Sequence, residues 1–259
     1  MVRQPEWLTK LLAGRGEPKP GLPENQCVYA VGDVHGRYDL LIELLARIAD
    51  DSKGDANTLI FLGDYIDRGP DSRKVVDLLQ RLQVPGWTVV CLQGNHEACL
   101  LEFLNSPDVY PVWREIGAAD TLLSYGVKPP VFTSQQEFAR ARDELASRLP
   151  NRHLDFFGGL AVAHAVGGYY FVHAGIRPGI PLDRQSPQEQ LWIRDEFLLS
   201  DAPYEKIIVH GHSVSETPVV RRNRICVDTG AYATGVLTAV KLFGEGVSFI
   251  STAPPQSAM

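Results

Sequence analysis

Apolar runs of four to six residues alternate with amphipathic stretches through the first hundred positions. The runs at 27–31 (CVYAV) and 58–62 (TLIFL) end at Gly32 and Gly63, and the run at 87–92 (WTVVCL) ends just before Gly94. Segments this apolar, rich in β-branched and aromatic residues, predict strands covered on both faces. Between them, 38–49 (YDLLIELLARIA) and 72–82 (SRKVVDLLQRL) carry apolar residues at helical spacing, and 97–104 (EACLLEFL) opens a third helix. Strand–helix–strand–helix–strand with short loops predicts a parallel sheet.

Residues 105–157 break this rhythm. They hold Trp113, the stretch GAADTLLSYG (117–126) and a helical pattern over 134–149, which together predict a helical insertion acting as a wall or lid near the site. Trp113 and Tyr125 read as insertion core. The remainder is mostly strand: 159–166, 168–175, 206–212, 218–230, 233–243 and 246–250, interrupted by a short helix around 188–199. Gly167-Gly168 between two alternating strands signals a hairpin. The expected fold class is α/β (α+β in some schemes): two mixed β-sheets in a central sandwich, flanked by helices. One domain is expected over 25–252, preceded by a proline-rich lead-in (1–24) and followed by a flexible tail (253–259). The lead-in carries WLTKLL, enough for one or two helical turns.

Asp33, Asp64 and Asn95 each follow a glycine just past a predicted strand, at two equal intervals of 31 residues. A βαβ unit takes roughly 30 residues. All three side chains are therefore expected at the carboxyl ends of adjacent parallel strands, the edge where open α/β sheets place their ligands. His35, Asp67, His96, His173 and His210 also stand just past apolar runs. Alone, His35 or His210 would read as a structural histidine; within this set both read as ligands. Carboxylate and imidazole without thiolate suit divalent Mn, Fe or Zn. Two such ions facing only Asp33 and Asp64 would leave the site positive, as phosphate-ester hydrolysis requires. They would clamp phosphate oxygens and acidify a bridging water to give the attacking hydroxide. His96 suits the general acid, Asp67 could hold it protonated, and Arg68 could grip phosphate in bidentate fashion.

GDVHG (32–36), GDYIDRG (63–69), GNHE (94–97), HAG (173–175) and HGH (210–212) occur in the order found in the phosphoprotein phosphatases. In these motifs the chain resembles the bacterial and phage-type serine/threonine phosphatases of that family, within the calcineurin-like metallophosphoesterases. The resemblance implies the metallophosphoesterase fold. It implies Asp33, His35 and Asp64 on one metal, with Asp64 bridging to a second held by Asn95, His173 and His210. It further implies His96 with Asp67 as the acid dyad, Arg68 as a phosphate clamp with Asn95 beside it, and Arg194, in LWIRDEF (191–197), as a second phosphate arginine. His212 is left open between a structural and a supporting role, His164 reads as structural, and Arg37 and Arg177 flank the metal motifs.

Bulk properties narrow the function classes. The 259 residues carry a net charge of −6, against a general nucleic-acid binder. No apolar run reaches the roughly 18 residues of a membrane span. Four cysteines without a CxxC pair disfavour a thiolate zinc site, and a reducing cytoplasm is the expected compartment. The expected partners are phosphorylated proteins or small phosphate esters, with no nucleic-acid polymer and no membrane. Three functions compete: a Mn²⁺-dependent protein serine/threonine phosphatase, with phosphotyrosine a further substrate; a dinucleoside polyphosphate hydrolase; and a metal scaffold that binds phosphate without cleaving it.

Overall fold

The computed structural model describes residues 21–52 and 57–252. The turns expected of WLTKLL and the tail expected over 253–259 lie outside the described residues.

Three parallel strands form the first sheet's centre: β1 (Cys27–Val31), β2 (Asn57–Phe61) and β3 (Thr88–Cys91). The crossovers carry α1 (Tyr38–Asp51) and α2 (Ser72–Leu79), and α3 (Asn95–Asn105) follows β3 directly. The hairpin of β9 (Thr238–Phe243) and β10 (Gly246–Ser251) joins β1 antiparallel, giving the order β10-β9-β1-β2-β3. The second sheet has the order β4-β5-β6-β8-β7: β4 (Ala163–Val166), β5 (Tyr169–Val172), β6 (Ile207–His210), β8 (Arg224–Cys226) and β7 (Val219–Val220). Both sheets are mixed.

Burial explains why β1 and β2 lack alternation in sequence. Val28, Ala30, Ile60 and Leu62 face the second sheet and pack with Phe171, Val209 and Ile225. Tyr29, Val31, Leu59 and Phe61 face the other way, onto Leu41, Leu44, Val75 and Val76 of the crossover helices. A smaller apolar cluster, with Val172, Ile208 and Phe197, covers the outer face of the second sheet. Burying one large aliphatic or aromatic side chain contributes about 1.5–3 kcal/mol, so these three layers set the frame on which the rim is held.

Residues 107–158 hold α4 (Tyr110–Ile116), α5 (Ala118–Ser124), α6 (Gln135–Arg148) and α7 (Asn151–Gly158). Their core is aromatic: Phe103, Tyr110, Trp113 and Phe138 contact one another at 5.1–5.6 Å between ring centres.

Three elements differ from the sequence reading. The run 233–243 opens in a short helix, Ala231–Thr234, and is strand only over Thr238–Phe243. The run 218–230 is not one strand but the β7–β8 hairpin, closed by the Arg221 N–H donating to the Arg224 carbonyl at 2.8 Å. The expected helix at 188–199 is two, α8 (Pro187–Trp192) and α9 (Asp195–Leu198). Ile193 is extended (φ −61°, ψ 142°), so the chain leaves helical geometry just before Arg194. The β4–β5 hairpin turns at Gly167-Gly168 as the sequence predicts.

Candidate active site

The loops that leave the carboxyl ends of β1, β2 and β3 meet the loops after β5, β6 and β8 at one rim. Five residues there adopt left-handed backbone: His35 (φ 44°), Asp64 (52°), Asp67 (71°), Arg68 (66°) and His212 (61°). Such conformations cost non-glycine residues of order 1–3 kcal/mol each and persist where the surroundings over-determine them. Here the surroundings are backbone hydrogen bonds. The N–H groups of Val34 and His35 both donate to the Asp64 carbonyl, at 3.0 and 2.8 Å, which locks the first motif onto the second.

Asp64 stands at the middle of the rim. Its Oδ2 lies 3.5 Å from Nε2 of His35, 3.5 Å from Nε2 of His96 and 3.4 Å from Nε2 of His173. All four side chains are buried. The tautomers of two rings follow from their other nitrogen. His35 Nδ1 faces the Ile66 carbonyl at 2.8 Å and His173 Nδ1 faces the Leu62 carbonyl at 2.9 Å. A carbonyl only accepts, so Nδ1 carries the proton and Nε2 of a neutral ring offers a lone pair to the centre. Asn95 Oδ1 approaches His173 Nε2 at 2.9 Å, and His212 Nδ1 approaches it at 3.2 Å.

Two groups of three donors result, each with its ligand atoms within 4.8 Å of one another: His35, Asp64 and His96, and Asp64, His173 and His212. His210, expected in the second group, is in neither. It is the last residue of β6, its Nδ1 faces the carbonyl of Gly211, and its ring packs edge-on against Phe197 at 5.0 Å. The chain then turns through Gly211 and the left-handed His212, which carries the second ring to the rim. Gly211 is required there: a Cβ would sit 2.0 Å from Oδ1 of Asp33.

Asp33 joins the rim from β1. Its Oδ2 accepts the His212 N–H at 3.0 Å, whereas its buried Oδ1 has no protein partner among the described residues. Burial first, then the charges of Asp228 and Asp64, push the Asp33 carboxyl well above its ordinary pKa. Asp228 is raised in turn, by burial above all. Crowded buried carboxylates with an orphaned oxygen are what a cation would relieve, so this donor set fits divalent metal. Burial lowers His35 to about 3 and holds His212 below its ordinary value, which favours the neutral, ligating form. Burial would lower His96 and His173 too, but Asp64 and Asp67 together raise His96, and Asp64, Glu97 and the Leu62 carbonyl together raise His173.

The expected dyad is closed: His96 Nδ1 and Asp67 Oδ2 are 2.6 Å apart, and both residues are buried. Arg68 donates from Nε to the Ile116 carbonyl at 3.2 Å, and its guanidinium lies 4.5 Å above the ring of Tyr232. Arg194 is exposed, donates to the His212 carbonyl at 3.3 Å, and lines an open cleft of about 310 Å³ with Trp192 and Arg177. Arg177 is tied to Glu189 and Glu196, and Arg37 to Asp39.

Sequence reasoning missed Glu97, Asp228, Tyr232, Trp113 and Thr121 as parts of this region. Glu97 had a signal: it stands three residues after Gly94 and accepts the Gly94 N–H, the half of a capping box that a glycine N-cap permits.

Two sheets face to face, helices outside them and a rim of buried carboxylate and imidazole define the metallophosphoesterase fold. A family model for the calcineurin-like phosphoesterases matches residues 28–239, and the chain belongs to that family. It is 27% identical over 242 residues to the asymmetrical bis(5'-nucleosyl)-tetraphosphatase of Halalkalibacterium halodurans, covering 85% of this chain and 91% of that protein. It is 24% identical over 238 residues to serine/threonine-protein phosphatase 2 of Salmonella typhimurium, covering 83% and 92%. Other curated relatives match more locally, over 23% to 46% of their own length. Among solved structures, a protein serine/threonine phosphatase from Saccharomyces cerevisiae superposes with a TM-score of 0.53 at 15% identity, covering 98% of each chain, a likeness of fold. The resemblance drawn from the five motifs holds at the level of family, and the chain is a metal-dependent phosphoesterase. Among the described residues no helix is long and apolar enough to cross a membrane.

Proposed function

We propose that this chain is a phosphomonoesterase acting on phosphoserine and phosphothreonine in proteins, with phosphotyrosine as a further substrate. The observation that carries this reading is the closed, buried contact of His96 with Asp67, 2.6 Å long. Cleaving a serine phosphate expels an alkoxide, whose high proton affinity makes a positioned acid valuable. Cleaving between two phosphates expels a far weaker base that needs little such help.

Asp33, His35 and Asp64 hold one divalent ion in this reading, and Asp64, Asn95, His173 and His212 hold the other, with Mn²⁺ the first choice for both. Bound ions supply positive charge to the phosphoryl oxygens and acidify water near neutral pH. Arg68 supplies a fork of donors for two phosphate oxygens, held in place by Ile116 and Tyr232. Arg194, which donates to the carbonyl of His212, is the second guanidinium for that group in this reading. As the bond from phosphorus to the leaving oxygen breaks, its electron pair goes to that oxygen. The proton on His96 Nε2 follows, and Asp67 keeps the ring oriented.

One comparison favours a second reading, a dinucleoside polyphosphate hydrolase: the tetraphosphatase relative is matched over 91% of its length. Both readings need the same metal donors, so substrate decides between them. Chelated protein reloaded with Mn²⁺ is to be assayed on phosphoserine peptides and on diadenosine tetraphosphate. A higher kcat/KM on the peptides is expected. Faster release of nucleotides from the dinucleotide would overturn the ranking. Inertness of metal-loaded protein towards p-nitrophenyl phosphate would instead favour the non-catalytic scaffold.

A further inference from the structure

Asp67 is held by the helical insertion as much as by its own loop. Its Oδ2 accepts two donors, Nδ1–H of His96 at 2.6 Å and the indole N–H of Trp113 at 2.7 Å. Its Oδ1 accepts the hydroxyl of Thr121, and the Thr121 oxygen accepts the Asp67 backbone N–H at 2.8 Å. Trp113 lies on α4 and Thr121 on α5, and Asp67, Trp113 and Thr121 are all fully buried. The two helices meet at Gly117 (φ 123°), where a Cβ would stand 2.9 Å from Cγ of Arg68 and 3.3 Å from Cβ of Asp67. The insertion is therefore pressed against both residues with no room for a side chain between.

These contacts have a directional consequence. A buried carboxylate with one partner can turn about its Cβ–Cγ bond, whereas three donors fix its plane. With the plane fixed, His96 has one ring orientation that keeps its hydrogen bond, and that orientation aims Nε2 at the centre, 3.5 Å from Oδ2 of Asp64. Loss of one donor would leave a buried lone pair unsatisfied and free the carboxylate to rotate.

We propose that Trp113 and Thr121 are positioning residues for leaving-group protonation, and that α4 and α5 mount the acid dyad. This rests on His96 being the acid, as argued above. The proton moves from His96 Nε2 to the departing oxygen; Trp113 and Thr121 give up no proton and touch no substrate.

The test compares leaving groups on the Mn²⁺-loaded full chain. Phenyl phosphate releases a phenol with a pKa of about 10, which gains from protonation. 2,4-Dinitrophenyl phosphate releases a stable anion that does not. In Trp113→Phe and in Thr121→Val, kcat on phenyl phosphate is expected to fall about ten- to hundredfold, and on the dinitrophenyl ester by less than about threefold. Thr121→Ser, which keeps the hydroxyl, is expected to restore the phenyl phosphate rate. A readout without turnover is the downfield NMR signal of the His96 Nδ1 proton in the full chain loaded with diamagnetic Zn²⁺ instead of Mn²⁺, expected to broaden in both damaging variants. His96→Asn serves as the reference and should show the same leaving-group contrast more strongly. Absence of that contrast in His96→Asn would refute the acid reading itself. If His96→Asn shows it, equal losses on both esters in the Trp113 and Thr121 variants, or an unchanged proton signal, would refute the positioning role. Should Trp113→Phe fail to fold, the Thr121→Val and Thr121→Ser pair decides alone.

Discussion

Glu97 Oε2 accepts the backbone N–H of Asp64 at 2.9 Å, so the last residue of GNHE supports the second motif from behind. The same oxygen accepts the Gly94 N–H at 2.9 Å, and Oε1 accepts those of Tyr65 and Ile66 at 2.8 and 3.3 Å. Four amides on one buried carboxylate hold the left-handed turn at Asp64 and the start of α3 together. Burial and the Asp64 charge push Glu97 up to about 7, against the pull of those amides.

Replacing Glu97 with Gln tests this support. The side chain keeps its size, but its NH₂ must face amide donors. Each stranded buried donor costs about 1–3 kcal/mol, so a loss of about 2–3 kcal/mol is expected. For a chain of this size that is a fall in Tm of about 5–10 °C by calorimetry. A Tm unchanged within error would mean that the turn holds without the carboxylate.

How much of this was legible depended on range in sequence. Asp33 and Asp64 announced themselves because the doubly buried β1 and β2 read as plain apolar runs that end at a glycine, and Asn95 because the equally apolar edge strand β3, though only half-buried, ends just before one. Trp113 and Thr121 could not be read as partners of Asp67, because 46 and 54 residues separate them and an apolar indole reads as core. Arg194 was singled out by motif, but the break in helix just before it was not legible, since the pattern from 188 to 199 stays helical. Which of His210 and His212 stands in a donor group was not legible for a local reason. Both flank Gly211 after the apolar run IIV, and only the left-handed turn at His212 decides which ring reaches the rim.

That choice gives the second prediction. A ligand bound only by the folded chain at a concentration of 100 Kd stabilises it by about 2.7 kcal/mol. Metal-free protein titrated with Mn²⁺ should therefore rise in Tm. His212→Ala is expected to abolish most of the rise. His210→Ala leaves a gap beside Phe197 and should lower Tm in both states, yet keep the metal-dependent increment. The reverse pattern would assign the ligand role to His210.

Tyr232 offers a third. Its ring lies under the Arg68 guanidinium and edge-on to His35 at 5.4 Å, on the short helix α10 (Ala231–Thr234). A cation over an exposed aromatic ring gains about 0.5–1 kcal/mol. Tyr232→Leu should therefore raise KM for a phosphopeptide by about two- to fivefold with little change in kcat, if the ring serves to hold Arg68 for binding. Arg68→Lys keeps the charge but loses the fork, and its effect should be larger. A drop in kcat alone for Tyr232→Leu would place the ring's contribution in the chemical step.

The last prediction concerns pH and a site remote from the rim. His153 is buried on α7, with Nε2 3.0 Å from Asp77 Oδ1 and Nδ1 2.9 Å from the Tyr125 hydroxyl. A carboxylate only accepts, so Nε2 carries the proton, and a neutral ring then accepts the tyrosine O–H at Nδ1. Protonation would put a second donor against that hydroxyl. Burial accordingly lowers the His153 pKa below 6.5, more than Asp77 raises it. Below pH 6.5 the unfolded chain takes up a proton that the folded chain refuses, so stability falls as pH drops from 6.5 towards the folded value. Asp77, held below 3.8 by Arg152 and His153 in spite of its partial burial, acts in a separate window, below pH 3.8. His153→Gln can keep both hydrogen bonds but cannot titrate. The Tm of wild type minus that of His153→Gln is expected to grow from pH 5 to pH 6.5. A difference independent of pH would mean that the folded chain accepts the proton as readily as the unfolded one.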